Sequence, residues 1–332
     1  GLNMPGSTVG SLYSITALGA SHGYTCVVLD NNEMKCWGKA ENGSLGNGDD
    51  SQNQYTPVGV NELNSNTCCF SDIEETSPDG DHSCALSDGS VYCWGLDTAG
   101  QIGHGHLSCI GNGYCVNPHG PSVLNRNIVT FTTGLRHTCA IADDSTAWCW
   151  GENDFGQLGV GDNDDRNAPT QVLLPAGTTP ISINAGGHTT CVILNNGTGL
   201  CWGKSDYGHL GDGTYNNRDE PTPISILPSN RSLVAMDLGA GHACGILDDG
   251  TAHCWGNGTF SSGESGGRLG DGSNESSRFP RSVSLPSGRN AISIDVGVDH
   301  TCAILDDSSA VCWGLNEEGQ LGDGSTSNST TP

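Results

Sequence analysis

The chain has 332 residues, with 37 Asp and Glu against 12 Lys and Arg, a formal net charge of −25, 50 Gly, 16 Cys and 34% hydrophobic residues. So acidic a chain lacks the basic footprint that phosphate binding needs, which argues against a nucleic-acid partner, and no apolar run approaches the ~20 residues that cross a bilayer as a helix. A single core of this length is near the upper limit for one domain, so repeated units are the expectation. The opening Gly1-Leu-Asn-Met-Pro5 carries no basic or apolar signal region, so a secreted form is expected to have lost its signal already.

In chain order, a Cys-Trp-Gly triplet recurs with Trp37, Trp94, Trp150, Trp202, Trp255 and Trp313, at intervals of 57, 56, 52, 53 and 58 residues. Each triplet is followed by a glycine turn: Gly43-Ser-Leu-Gly46, Gly100-Gln-Ile-Gly103, Gly156-Gln-Leu-Gly159, Gly208-His-Leu-Gly211, Gly267-Arg-Leu-Gly270 and Gly319-Gln-Leu-Gly322. Each is preceded by a second Cys, with a His two to four residues upstream of it: His22, His82, His137, His188, His242 and His300. Within the units, Ser87-Asp-Gly89, Asn195-Asn-Gly197 and Asp248-Asp-Gly250 are tight-hairpin chemistry between strands. Post-proline strands are expected at Pro223–Leu227 and Pro280–Leu285, and further strands at Ala291–Val296, Cys302–Leu305 and Ala310–Trp313. About four short strands per unit and no helical period predict an all-β propeller of six four-stranded blades, as one domain over 1–332. The repeats fall at about 13–59, 60–125, 126–175, 176–227, 228–285 and 286–332 plus 1–12.

The pattern of glycine, His, Cys-Ala-Leu, a turn, Trp-Gly and Gly-Gln-Leu-Gly resembles the regulator-of-chromosome-condensation repeat family. The likeness runs through stretches such as Asp299–Leu305 and Cys312-Trp-Gly314. It implies a β-propeller, usually of seven blades. Known members include a chromatin-bound nucleotide-exchange factor and a secreted β-lactamase inhibitor, with partner-binding residues in variable loops, so no functional position carries over. This chain departs in having six repeats and a second Cys in each. Wrapping the last Trp onto the first gives an interval of 56 residues, so the N-terminal strand is expected to complete the last blade. The alternative is a window from a longer propeller array. An intermolecular version of that latch would build a filament.

Twelve Cys form pairs nine or ten residues apart: Cys26 with Cys36, Cys84 with Cys93, Cys139 with Cys149, Cys191 with Cys201, Cys244 with Cys254, and Cys302 with Cys312. A hairpin brings such residues opposite each other, and facing Cα atoms at ~4.5 Å lie within disulfide range. Six local bridges imply an oxidising, extracellular or cell-surface setting. Cys68, Cys69, Cys109 and Cys115 fall outside the repeat, and sequence does not choose their pairing. Asn42, Asn196, Asn230, Asn257, Asn274 and Asn328 head Asn-x-Ser/Thr sequons and are the candidate glycosylation sites.

The recurring His and Trp read as structural parts, because a catalytic group is needed once and not in every blade; the Trp N–H is expected to find a local carbonyl. Hard oxygen ligands for calcium are sought at Asp162, Asp164 and Asp165, with Asp49, Asp50 and the Gly-Asp-Gly turns at Asp212, Asp271 and Asp323 as further acidic loops. His104 and His106 offer imidazoles for a transition metal, although exposed loop histidines are commonly only polar. No catalytic motif is present, so no enzyme and no cofactor beyond that calcium are expected. The long loops Leu107–Asn125 and Asn257–Gly267 are the individual features. The expectation is an extracellular structural or interaction protein whose partner is another protein or its own copies. The favoured form is a surface filament subunit assembled by strand exchange; the alternatives are a discrete inhibitor or adhesin and, third, an enzyme on a propeller scaffold.

Overall fold

The computed structural model describes residues 13–332 except 22, 62–71, 106–112, 120–123, 226, 229–230 and 260–265. Each repeat folds as a meander, because its turns force immediate chain reversal. Asp88 and Gly89 both take positive φ, 47° and 67°, as a two-residue hairpin between right-twisted strands requires. Blade one contains β1 (Ile15–Ala20), β2 (Tyr24–Leu29), β3 (Met34–Gly38) and β4 (Gln54–Gly59). Blade two contains β5 (Ile73–Asp79), β6 (His82–Ser87), β7 (Ser90–Leu96) and β8 (Tyr114–His119). Blade three contains β9 (Ile128–Thr133), β10 (His137–Ala142), β11 (Ala147–Gly151) and β12 (Arg166–Gln171). Blade four contains β13 (Pro180–Gly186), β14 (Thr189–Leu194), β15 (Gly199–Gly203) and β16 (Arg218–Pro223). Blade five contains β17 (Leu233–Leu238), β18 (His242–Leu247), β19 (Ala252–Gly256) and β20 (Ser277–Ser282). Blade six contains β21 (Ala291–Val296), β22 (His300–Leu305) and β23 (Ala310–Gly314).

Strands pair antiparallel in sequence order within every sheet, so the chain is an all-β propeller of six blades, as the repeat predicts. The expected N-terminal latch lies in residues 1–12, outside the described residues. In blade six the position of a fourth strand is taken up by the C-terminal residues, where Ser329 bridges Gly314. Ser329 is the register equivalent of Gln54, Arg166, Arg218 and Ser277, which face Gly38, Gly151, Gly203 and Gly256. Packing divides the chain into two units, residues 1–154 with 164–171, and 155–163 with 172–332. The first holds sheets one to three and the second holds sheets four to six.

The fourth strands depart from the expected post-proline position. They run through the proline, with Pro57, Pro169, Pro221 and Pro280 in fourth place and Pro118 in fifth. A proline is tolerated there because this is the outermost strand and the ladder skips register at that point, so no N–H is missed. The second strands are the opposite case: β6, β10, β14 and β18 are buried along their whole length. Hence they read as continuous apolar and small-residue runs such as Thr189-Thr-Cys-Val-Ile-Leu194.

Register places Cys26 opposite Cys36, Cys84 opposite Cys93, Cys139 opposite Cys149, Cys191 opposite Cys201, Cys244 opposite Cys254 and Cys302 opposite Cys312. All six pairs are disulfides with Cα atoms 4.1–4.2 Å apart. Cys115 is disulfide-bonded as well; Cys68, Cys69 and Cys109 lie outside the described residues. Each hairpin bridge closes a loop of about a dozen residues, for which chain entropy gives ~2–3 kcal/mol. The double replacement Cys191→Ser with Cys201→Ser is therefore expected to lower the urea-unfolding free energy by about that amount.

Candidate functional site

The blades are joined by one repeated clasp, built from the glycine turn of one blade and the Trp of the next. Trp94 Nε1–H donates to Ser44 O at 2.9 Å, Trp150 to Gln101 O at 2.9 Å, Trp202 to Gln157 O at 2.9 Å, Trp255 to His209 O at 2.8 Å and Trp313 to Arg268 O at 2.9 Å. These five indoles are fully buried. Sequence reasoning expected a local carbonyl for them; the acceptor instead comes from the preceding blade. At three junctions a hydroxyl of the next blade shares the same carbonyl: Ser83 to Ser44 O, Thr138 to Gln101 O and Thr190 to Gln157 O. The turn's Leu or Ile is buried beside it, at Leu45, Ile102, Leu158, Leu210 and Leu269. In the five turns that clasp an indole the second glycine has no room for a Cβ. Gly159 has φ +68°, and a Cβ there would meet Trp202 Nε1 at 2.7 Å.

With the backbone so occupied, the side chain at the variable position of the turn is free to face the residue that precedes the second strand of the next blade. Each junction fills that pair differently. Gln157 Nε2 approaches His188 Nδ1 at 3.5 Å. His209 lies over Gly241, where a Cβ would be 3.7 Å from its Nε2. Arg268, only 5% exposed, forms an ion pair with Asp299. Gln101 caps its own turn through Ala99 N–H at 3.0 Å. Ser44 turns inward instead, donating to Lys39 O at 3.1 Å. A cavity of about 200 Å³ results between the first blades, lined by Gly23, Tyr24, Lys39, Glu41, Ser44, Gly80, Asp81 and Leu135.

The recurring histidines divide by register. His82, His137, His242 and His300 face the glycine after the Trp. Tyr24 and Thr189 hold that place in blades one and four. His188 stands one residue earlier and His22 lies outside the described residues, so the expectation of six identically placed histidines does not hold. His82 Nε2 pairs with Thr138 Oγ1 at 3.0 Å and His242 Nε2 with Thr301 Oγ1 at 2.8 Å, each across a junction. Burial pushes both imidazoles down to about 3. Tyr24 replaces the imidazole with a hydroxyl donating to His82 O at 2.9 Å, and burial raises its pKa.

On the innermost strands, sequence reasoning missed Asp237 and Asp295. They occupy the position of Gly19, Ser77, Thr132 and Asn184, each opposite the first Cys of its hairpin. Aligning the repeats would have exposed them as the only acids there. Burial raises the Asp237 carboxyl to about 7, with the Asp295 charge adding to the shift and Val296 N–H, 2.7 Å from Oδ2, opposing it.

The calcium candidates do not converge. Asp165 accepts Asn153 N–H at 2.8 Å as a loop staple. Among the described residues no group of three or more His, Cys, Asp or Glu forms. Asp49, Asp212, Asp271 and Asp323 each accept the N–H two residues on, as self-capping turns. His106 lies outside the described residues. Among the sequons, Asn196 and Asn274 are exposed, Asn42 has φ 57°, Asn230 is outside the described residues, and Asn257 and Asn328 use Oδ1 as backbone staples.

Two expected outcomes follow from this geometry. Gly159→Ala combines a left-handed backbone with a clash against Trp202 and is expected to cost about 2 kcal/mol or more in chemical denaturation. The pH dependence of stability has two opposed arms. The buried histidines are neutral in the fold, and the unfolded chain takes up protons below 6.5, so stability falls as pH drops from there towards 3. Asp237 holds a proton in the fold that the unfolded chain releases near 3.8, so its contribution is lost as pH rises from there through about 7. Asp237→Asn should flatten the second arm only, read as the urea midpoint against pH.

Residues 88–141, 144–193, 196–246 and 249–304 match the sequence profile of the Regulator of chromosome condensation (RCC1) repeat, well over half of the chain. Human E3 ubiquitin-protein ligase HERC2 is 31% identical over 251 residues, covering 74% of this chain and 5% of HERC2. The chain thus spans only a small part of that relative. Human WBSCR16 superposes with a TM-score of 0.82 at 20% identity, over 96% of this chain and 81% of that one. Prp20p of Saccharomyces cerevisiae, studied with its binding to Gsp1p and histones, superposes at 0.73 with 22% identity, over 88% and 68%. The CRINKLY WD40 ectodomain of the Arabidopsis thaliana receptor kinase ACR4 superposes at 0.53 with 21% identity, over 91% and 80%. At these identities the superpositions speak for the fold; the repeats themselves make the chain a member of the RCC1-repeat family.

Proposed function

We propose that the chain is a protein-binding propeller of an oxidising, extracellular compartment, its six repeats acting as one domain. The observation that carries this reading is the disulfide in every blade, since a reducing compartment would not sustain six of them. Protein binding is the common role of RCC1-like propellers, Prp20p with Gsp1p and histones among them, and the ACR4 likeness supplies an extracellular precedent. An inhibitor or an adhesin would both fit this reading.

A second reading is a filament subunit, in which a strand of another copy joins a blade by augmentation.

Affinity capture on immobilised chain tests the first reading: one defined protein partner is expected, and none would contradict it. Electron microscopy of native material tests the second, and uniform single particles would remove it. Native material is further expected to carry glycans at Asn196 and Asn274, read as mass shifts on glycosidase treatment; free thiols at the six hairpin pairs would contradict the compartment.

A further inference from the structure

The cavity between the first blades has a counterpart elsewhere in the same chain, and that counterpart is filled. Ser44 and Arg268 hold the same place in Gly43-Ser-Leu-Gly46 and Gly267-Arg-Leu-Gly270. Asp81 and Asp299 hold the same place in the next blade: the carbonyl of Asp81 accepts Leu96 N–H and that of Asp299 accepts Leu315 N–H, both at 2.9 Å. Where the turn carries Arg268, the guanidinium crosses the junction to Asp299 and is buried. Where it carries Ser44, the side chain is too short to cross. Asp81 then has no side-chain hydrogen bond or ion pair among the described residues and lines an empty volume of about 200 Å³. A cavity of ~150 Å³ already admits a benzene ring, so there is room for a guanidinium and part of its stem.

We propose that this cavity receives the arginine side chain of a protein partner, which takes towards Asp81 the position that Arg268 takes towards Asp299. The charges match. Lys39 is neutralised by Glu41, their atoms 2.6 Å apart, so the lining carries one net negative charge from Asp81. A chain of net charge −25 also attracts a cationic partner from a distance. Leu135 gives the alkyl stem an apolar wall. Gly80 keeps the entrance open, because its φ is +54° and a Cβ there would lie 2.4 Å from Leu135 O. A planar fork is preferred to an ammonium because it meets a carboxylate with two parallel bonds.

This inference rests on the protein-binding reading and is tested apart from it. The probe is a fluorescein-labelled Gly-Gly-Arg-Gly-Gly peptide titrated into the full chain at low salt and followed by anisotropy. Saturable binding with one site per chain is expected, with at least tenfold loss on replacing the arginine by citrulline and a smaller loss on replacing it by lysine. Asp81→Asn should weaken binding at least tenfold. Ser44→Arg should abolish it while leaving the melting temperature unchanged or higher, since it rebuilds the Arg268–Asp299 pair in place. Arg268→Ser should open a second cavity and raise the stoichiometry from one to two. Equal binding to wild type and Asp81→Asn, or no binding at millimolar chain, would overturn the proposal. Free arginine amide binding as tightly as the peptide would overturn the assignment to a protein partner. If a captured protein partner still binds Ser44→Arg, the cavity is dismissed and the binding-module reading stands; if the peptide binds but no protein is captured, the reverse holds.

Discussion

The structure depends on a hydrogen bond between the indole of Trp94, Trp150, Trp202, Trp255 or Trp313 and the turn carbonyl of the blade before it. A propeller blade cannot bury either face alone, so its stability is that of its junctions. Each junction places a large ring between sheets, and the ring brings one N–H into a dry interior where leaving it unpaired costs about 1–3 kcal/mol. The Gly-x-Leu-Gly turn answers that need. Its two glycines take left-handed backbone, its carbonyl points at the indole, and its Leu closes the gap beside the ring. In three junctions the same oxygen also accepts a hydroxyl, and where Ala243 replaces that hydroxyl residue in blade five the indole bond remains.

This division of labour explains why the chain repeats strictly in some places and varies in others. The backbone of the turn is committed to the indole, whereas its middle side chain takes no part in the clasp. Serine, glutamine, histidine and arginine can therefore stand at one site of equal geometry, and Gln157, His209 and Arg268 each face a different residue across the junction. The disulfides act at right angles to this, tying second to third strand within each sheet, where they limit the unfolded chain rather than join blades. One device holds the sheet and another holds the sheets together, which leaves the turns rigid but chemically variable.

Much of this was legible in the sequence. Cysteine pairs nine or ten residues apart around Asp-Gly turns give the hairpin register directly, and Trp37 to Trp313 count the blades. Other features were legible but unread. His22 and His188 stand four and three residues before their Cys instead of two, which already displaces them from the position of His82. The fourth strands were placed too late because proline was treated as a boundary, although an outermost strand accepts it. What sequence could not give lies between blades. The proton held by Asp237 comes from its burial, with the charge of Asp295 in the next blade adding to it, and the cavity at Asp81 is lined together with Ser44, 37 residues away.

Exchange of the indole protons, followed by heteronuclear NMR in deuterated buffer, tests the central claim most directly. The account predicts that Trp94, Trp150, Trp202, Trp255 and Trp313 retain their Nε1 protons until the fold opens globally, exchanging together with the amides of the wholly buried second strands. Indole protons that are lost within seconds while those strand amides stay protected would mean that the junctions are held by something other than this bond.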